Sequence, residues 1–422
     1  MSRRRVIGLG LAGAAATLTG CAEDAKPAAG QGTKLIYWNG GLSPNVLEQA
    51  AQEFASRTKL TTALIDGDYR KQLVDILNAG TGLPAIVGIK GEDIASLVPR
   101  ADLFADLHEL GADEVAGEYV PWKWQQASAP DDRLIGFPID IGPTATFYRA
   151  DLFAKAGLAS EPDAMAAAVR TWDDYIDYGA RLTRALPGVK LVRNGAELFT
   201  IVICQGTKRY VDETNHYIGG EDHIKHAWDL SARLIDQKLG LGITGSEGDK
   251  WAATLADGTC ATALGAAWLG YDIKNAAPKS SGHWRVAAGP ATGANYGGSF
   301  LAIPQGSADH ALSFEIIKWI LAPENQATAF TDAAIFPAAT AAFDMPALLE
   351  PDPFFGGQKT AGVFAASARK AHRVYEAPAD ATIHNAFVVQ LDIVEAGRRN
   401  AADAWKDAVG RGRSIAESLG VN

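Results

Sequence analysis

The spacing of apolar and polar positions changes repeatedly along the chain, and each change marks an element. Residues 34–41 (KLIYWNGG) are apolar and then break into glycines, as a buried strand does at its end. Over 43–58 the apolar positions return at helical spacing, with Ser43 as N-cap and Pro44 at the first helical position. Residues 59–68 predict a second strand, 69–82 a helix ended by glycine, and 83–90 a third strand. Residues 92–110 are helical and then turn. This strand–helix alternation implies parallel pairing with right-handed crossovers.

Further on, 133–158 reads as a long extended segment followed by a short helix, and 171–185 as a helix capped by Thr171. Residues 197–207 are apolar throughout. Residues 221–240 form an amphipathic helix, and 250–275 a helix followed by a buried strand (CATALGAAW). Two strands follow, in HWRVAAGP and NYGGSFLAIPQGS. A long helix over 308–330 is interrupted near Pro323, and helices close the chain.

The N-terminus has a different grammar. Arg3, Arg4 and Arg5 precede an uncharged run, Val6 to Thr19, too short for the roughly 20 apolar residues that span a bilayer. It reads as an export signal over 1–20. SRRRVIG also fits a twin-arginine motif, with ordinary secretion the alternative. Leu18-Thr19-Gly20-Cys21 resembles the bacterial lipobox, which implies lipidation of Cys21 and attachment to the extracytoplasmic face of the cell membrane. Residues 21–32 are small, polar and Gly/Pro-containing, as a flexible spacer is. Cys204 and Cys260 are the remaining cysteines, and a disulfide or two separate thiols are both open.

Composition narrows the function. The 422 residues are 47% hydrophobic and 21% charged, enough to fill the cores of two or three domains. The net charge of −10 lacks the basic footprint that nucleic acid requires.

Ligands in open α/β sheets lie beyond the carboxyl ends of the strands. That singles out Trp38 and Asn39, beside Gly40 and Gly41, after the first strand. Asp66 and Asp68 follow the second, and Lys90, Glu92 and Asp93 the third. Trp38 could instead pack under the first helix, and Asp68 could cap the helix that follows it. Capping is equally the rival for Glu92 and Asp93. His223 and His226 sit at i, i+3 on an amphipathic helix, a solvated pattern. No metal and no cofactor is expected.

The order of the pieces resembles an extracellular solute-binding protein of a bacterial ABC importer, in the sugar-binding family typified by maltodextrin-binding protein. The resemblance rests on YWNGG; on GFPIDIGPTATFYRADLFAKAGL, with Tyr148, Asp151, Leu152, Phe153, Gly157 and Leu158 followed by TWDDY; on GAAWLG; and on GGSFLAIPQGSADHALSFEIIKWILAPENQATAF. It implies a type II periplasmic-binding-protein-like α/β fold: two lobes joined by three crossings near 140, 298 and 337, with the ligand cleft between them. The expected division is 33–140 with 299–336, and 141–298 with 337–422. The resemblance further implies Asp140 at the first crossing, Glu197 and Phe199 on a cleft-lining loop, Trp268 as the main stacking platform with Tyr271 beside it, and Tyr296, Gly297 and Gly298 at the return crossing. Phe336 and Pro337 mark the third.

The implied function is capture of a mono- to small oligosaccharide by a monomer that delivers it to permease subunits and a separate ATPase. Two alternatives remain. The same fold could bind a polyamine, an iron chelate or a phosphorylated compound. A lipid-anchored glycan hydrolase would need two carboxylates across a bond. The chain has no Gly-x-Ser-x-Gly, His-Glu-x-x-His or P-loop.

Overall fold

A computed structural model describes residues 32–245 and 247–422. The expected signal segment, Cys21 and nearly all of the spacer lie outside the described residues.

The first sheet is built from β1 (Lys34–Tyr37), β2 (Thr61–Leu64) and β3 (Ile86–Ile89), alternating with α1 (Pro44–Glu53), α2 (Tyr69–Ala79) and α3 (Gly91–Leu97). Local chemistry explains the boundaries. Ser43 Oγ accepts from Val46 N at 3.2 Å, and an Asp68 carboxylate oxygen accepts from Lys71 N at 3.0 Å. Gly80 ends α2 at φ +63°, a left-handed conformation that favours glycine. The chain continues through α4 (Pro121–Gln126) to β4 (Phe137–Pro138).

The second sheet comprises β5 (Thr144–Arg149), β6 (Thr262–Ala266) and β7 (Trp284–Ala287). Between β5 and β6 lie α5 (Ala150–Lys155), α6 (Pro162–Ala168), α7 (Trp172–Ala185), α8 (Gly195–Cys204), α9 (Asp222–Asp236) and α10 (Gly248–Asp257). Thr171 and Asp174 form a reciprocal capping box at the start of α7. After β6, α11 (Leu269–Ala276) leads to β7. The chain then returns to the first sheet as β8 (Phe300–Ala302), followed by α12 (His310–Ile320) and α13 (Pro323–Ala333). It ends with α14 (Ala361–Ala368), α15 (Asp380–Glu395) and α16 (Ala401–Ser418).

The strand order is β2-β1-β3-β8-β4 in one sheet and β6-β5-β7 in the other. β1 pairs in parallel with β2 and β3, as the strand–helix alternation predicts. β8 runs antiparallel to β3 and β4, and the second sheet is antiparallel throughout. Each sheet, with its helices, is the heart of one lobe of a type II binding-protein fold. A further apolar cluster joins α8, α9, α15 and α16 around Phe199, Trp228 and Phe387.

Three extended segments cross between the sheets side by side. Ile139 N donates to Ser299 O at 2.8 Å, Ile141 N to Phe336 O at 3.0 Å, and Tyr296 N to Gly142 O at 2.8 Å. Asp140 bridges Pro337 and Pro143 bridges Asn295. The segments touch so closely that a Cβ at Gly142 would lie 1.9 Å from the Tyr296 carbonyl oxygen. Past the third crossing the chain first returns along the first lobe: Val120 N donates to Ala338 O, and Gln326 Oε1 accepts from Ala338 N and Ala339 N.

Cys204 and Cys260 are buried and free, which settles their pairing in favour of separate thiols. Among the described residues, no helix is long and apolar enough to cross a membrane.

Candidate functional site

A cavity of about 510 Å³ lies between the lobes against the crossing segments. Its first-lobe wall starts where β1 ends. Trp38 and exposed Asn39 line it with Gly40 and Gly41. The indole is seated because its neighbours lack side chains: a Cβ on Gly88 would approach it to 2.7 Å. Tyr69 meets Trp38 edge-on at 5.2 Å, and the Lys90 ammonium lies 5.7 Å from the Trp38 ring centroid, at the outer range of a cation–π contact. Lys90 and exposed Glu92, at the start of α3, also line the cavity.

The floor is the hinge. Asp140 accepts from Ser299 N at 2.6 Å, and burial pushes its carboxyl above the usual range. Behind it lies Lys123, wholly buried, whose Nζ donates to Gly298 O at 2.6 Å and Gln126 Oε1 at 2.9 Å and sits 3.9 Å from the Phe300 ring centroid. Burial lowers the Lys123 pKa to about 8, against the opposing field of Asp140. Gly297 and Gly298 hold φ of +84° and +81°, which lets the return crossing turn under the cavity.

The second-lobe wall carries Trp268 at the start of α11, half-buried, with its ring 5.7 Å from Tyr296 and tilted by 49°. Tyr271 and Asp272, one turn on, are exposed at the mouth. The inner end is polar. Arg209 forms an ion pair with Glu376, and Glu376 also accepts from Gln126 Nε2 at 2.9 Å. Burial opposes the Arg209 charge, but Glu376 and other neighbours outweigh it and raise the pKa. Its buried Nε–H has no hydrogen-bond partner among the described residues.

Asp380 accepts from Ala377 N (2.7 Å) and Tyr210 N (3.1 Å), yet burial pushes its carboxyl up to about 7. His384 lies between Tyr210 Oη (2.7 Å) and Thr200 Oγ1 (3.0 Å). Burial, with Arg209 beside it, lowers its pKa to about 3, so the imidazole is neutral. The arrangement offers aromatic faces at the mouth and floor and fixed charged and polar groups within. Among the described residues, no cluster of three or more His, Cys, Asp or Glu could hold a metal.

Residues 49–354 match the sequence profile of the family described as bacterial extracellular solute-binding protein. The chain belongs to that family. Over 233 residues it is 24% identical to the arabinooligosaccharide-binding protein of Bacillus subtilis (strain 168), covering 53% of this chain and 52% of that one. The match therefore spans about half the length of that curated relative. A crystal structure of an extracellular solute-binding protein family 1 member superposes with a TM-score of 0.82 at 26% identity, over 91% of this chain and 99% of that chain. The ABC-transporter-associated binding protein of B. animalis subsp. lactis Bl-04, solved with β-1,6-galactobiose, shares the fold at a TM-score of 0.74 and 21% identity, over 92% and 98%.

In this solute-binding protein the cavity brings together Trp38, Asn39, Glu92, Asp140, Trp268, Tyr271, Tyr296, Gly297 and Gly298 of the residues expected from sequence. Four expected residues lie elsewhere. Asp68 is spent on capping α2. Asp93 is turned inward, 5% exposed and 3.4 Å from Arg70, with burial pushing its carboxyl up to about 6. Glu197 and Phe199 belong to a helix, α8, rather than to a cleft-lining loop. Glu197 turns to the sheet and accepts from Leu264 N at 2.7 Å. Phe199 is wholly buried, stacked on His384 (5.6 Å) and Phe387 (6.0 Å).

Gln126, Arg209, Glu376, Asp380 and His384 line the cavity without having been read from sequence. Glu376, Asp380 and His384 share one local signal, the acidic and histidine content of an otherwise small-residue stretch at 376–384; Gln126 and Arg209 have none.

Glu197 gives this core a pH dependence. Burial raises its pKa from 4.5 to about 7. Between those values the folded protein keeps a proton that the unfolded chain releases, so this contribution to stability falls as pH rises. Stability relative to Glu197→Gln therefore declines from pH 4.5 to 7, by up to about 3 kcal/mol. Paired urea titrations across that range check it, and a flat difference contradicts it.

Proposed function

We propose that the protein is the ligand-capturing component of a bacterial ABC importer for a short oligosaccharide. The observation that carries this reading is the inter-lobe cavity in which two indoles, Trp38 and Trp268, accompany the Arg209–Glu376 pair and the unpartnered Arg209 Nε–H. A sugar ring has weakly apolar faces and a rim of hydroxyls. Aromatic faces suit the first, and a few placed polar groups the second. Support also comes from the B. subtilis relative, named for arabinooligosaccharide binding, and from the bifidobacterial neighbour holding a galactobiose.

In this reading the ligand enters beside Tyr271, stacks on Trp268 and Trp38, and is hydrogen-bonded by Glu92, Asp140 and Arg209. The first lobe, with residues 338–344 travelling with it, closes on the second by rotation about the three crossings. A monomer anchored through lipidated Cys21 then presents its charge to permease subunits served by a separate ATPase. It is a carrier and not an enzyme, since the cavity supplies binding groups and the relatives are binding proteins.

Thermal unfolding of the full chain against arabino- and galacto-oligosaccharides, polyamines and iron chelates tests the assignment. A saccharide at 100 times its Kd adds about 2.7 kcal/mol and raises Tm by a few degrees. A shift with polyamine or chelate alone removes the sugar assignment and keeps the fold. Release of reducing sugar on incubation identifies a hydrolase instead.

A further inference from the structure

The inter-lobe space does not end at the Arg209–Glu376 pair. A second cavity, about 450 Å³, lies against the same four residues that bound the first: Ala95, Gln126, Arg209 and Glu376. The partition spans both lobes. Gln126 comes from α4 of the first lobe and is itself held by the buried Lys123 ammonium at 2.9 Å. Glu376, between α14 and α15 of the second lobe, accepts from Gln126 Nε2 at 2.9 Å and pairs with Arg209. The side chains of Arg209 and Glu376 are only 16% and 17% exposed. Beyond the partition, Trp122 and Tyr375 line the second cavity together with His372 and Arg373. That chamber repeats the chemistry of the first: aromatic faces with polar groups beside them.

We propose that the Gln126–Glu376–Arg209 bridge is the length-determining element of the site: it stops a linear saccharide at the inner end of the first chamber, and the second chamber is the space a longer chain occupies once the bridge is opened. The inference rests on the saccharide reading above. A chain that fills the first chamber meets a charged cluster held together by the Gln126–Glu376 hydrogen bond and the Arg209–Glu376 ion pair. To pass, it must break the Gln126–Glu376 hydrogen bond or the ion pair, leaving groups unpaired away from water. Short ligands incur no such loss. The bridge therefore discriminates by length and not by sugar identity.

The test is calorimetric titration of the full chain, in mild detergent, with arabino- and galacto-oligosaccharides of one to six units. Three proteins are compared: wild type, Arg209→Ala/Glu376→Ala, and Gln126→Ala. The double substitution removes both members of the ion pair, so neither charge is left buried alone. Gln126→Ala keeps the pair and serves if the double variant fails to fold. In the wild type, affinity should rise with length and then fall at least tenfold beyond one length. In either variant, the ratio of long-chain to short-chain affinity should increase at least tenfold. Affinity that climbs or levels off through six units in the wild type overturns the length limit while leaving the sugar reading intact. An unchanged ratio in a folded variant overturns the role of the bridge. Absence of binding by every saccharide to wild type overturns the sugar reading, and this inference with it.

Discussion

Trp268→Ala should weaken saccharide binding at least 30-fold. Truncating a central aromatic anchor costs about 2 kcal/mol or more, and about 1.4 kcal/mol corresponds to a factor of ten in affinity. Trp268 meets the conditions for such an anchor. It begins α11 at the cavity wall, is half-buried, and is braced by Tyr296 at 5.7 Å, so the stacking face is fixed before ligand arrives. The indole is not part of either sheet's apolar core. Substitution should therefore move Tm far less than it moves affinity, and calorimetry alongside thermal unfolding separates the two. Undiminished affinity in a folded Trp268→Ala protein would place the platform elsewhere, with Trp38 the next to test.

Lys123→Met should cost about 3 kcal/mol or more of stability, measured by urea unfolding. The ammonium is wholly buried and satisfies Gly298 O and Gln126 Oε1, so its loss orphans two acceptors and leaves Asp140 without a nearby cation. Breaking a buried charge cluster from one side is typically worth 3–5 kcal/mol. The double variant Lys123→Met/Asp140→Asn should recover part of that loss, which a double-mutant cycle reads directly. Lys123 also carries a pH signature. Burial lowers its pKa from 10.5 to about 8, so between those values the unfolded chain binds more protons than the folded one. Stability relative to Lys123→Met then rises with pH from about 8 to 10.5. A variant as stable as wild type at neutral pH would show that the hinge does not depend on this cation.

Local chemistry made the first half of the fold legible. Ser43-Pro44, Asp68 and Thr171 announce helix starts, and the glycines after β1 and α2 announce stops, because these residues act on backbone groups within a few positions. The crossings were placed by the family resemblance of the GFPIDIG and YGGS stretches, and the structure sets glycine there where one backbone runs against another. What misled was α8. Its sequence, GAELFTIVIC, sets only Glu197 and Thr200 among apolar and small residues, too weak a pattern to orient the helix, and Glu197 and Phe199 were expected at a surface they do not reach. For Asp68 and Asp93 the choice was between cap or core and cleft, a matter of side-chain direction that residue type leaves open. The pairing that closes the inner end of the cavity was not legible. Arg209 and Glu376 are far apart in the chain, and nothing in either segment marks it as the other's partner. Pairings of that kind are written in tertiary packing alone.

The position of β8 also governs how the molecule comes into being. It is an interior strand, bonded on one edge to β3 and on the other to β4, yet it follows the whole second sheet in the chain. A nascent or emerging polypeptide thus carries β1 to β4 with two unsatisfied strand edges until residue 302 is available, and unpaired edges of that kind invite association with other chains. The first lobe cannot finish as an independent unit. Its closure waits on a contact of long sequence separation, which places this topology among slower folders and makes shielding of the incomplete sheet part of the biogenesis of the protein.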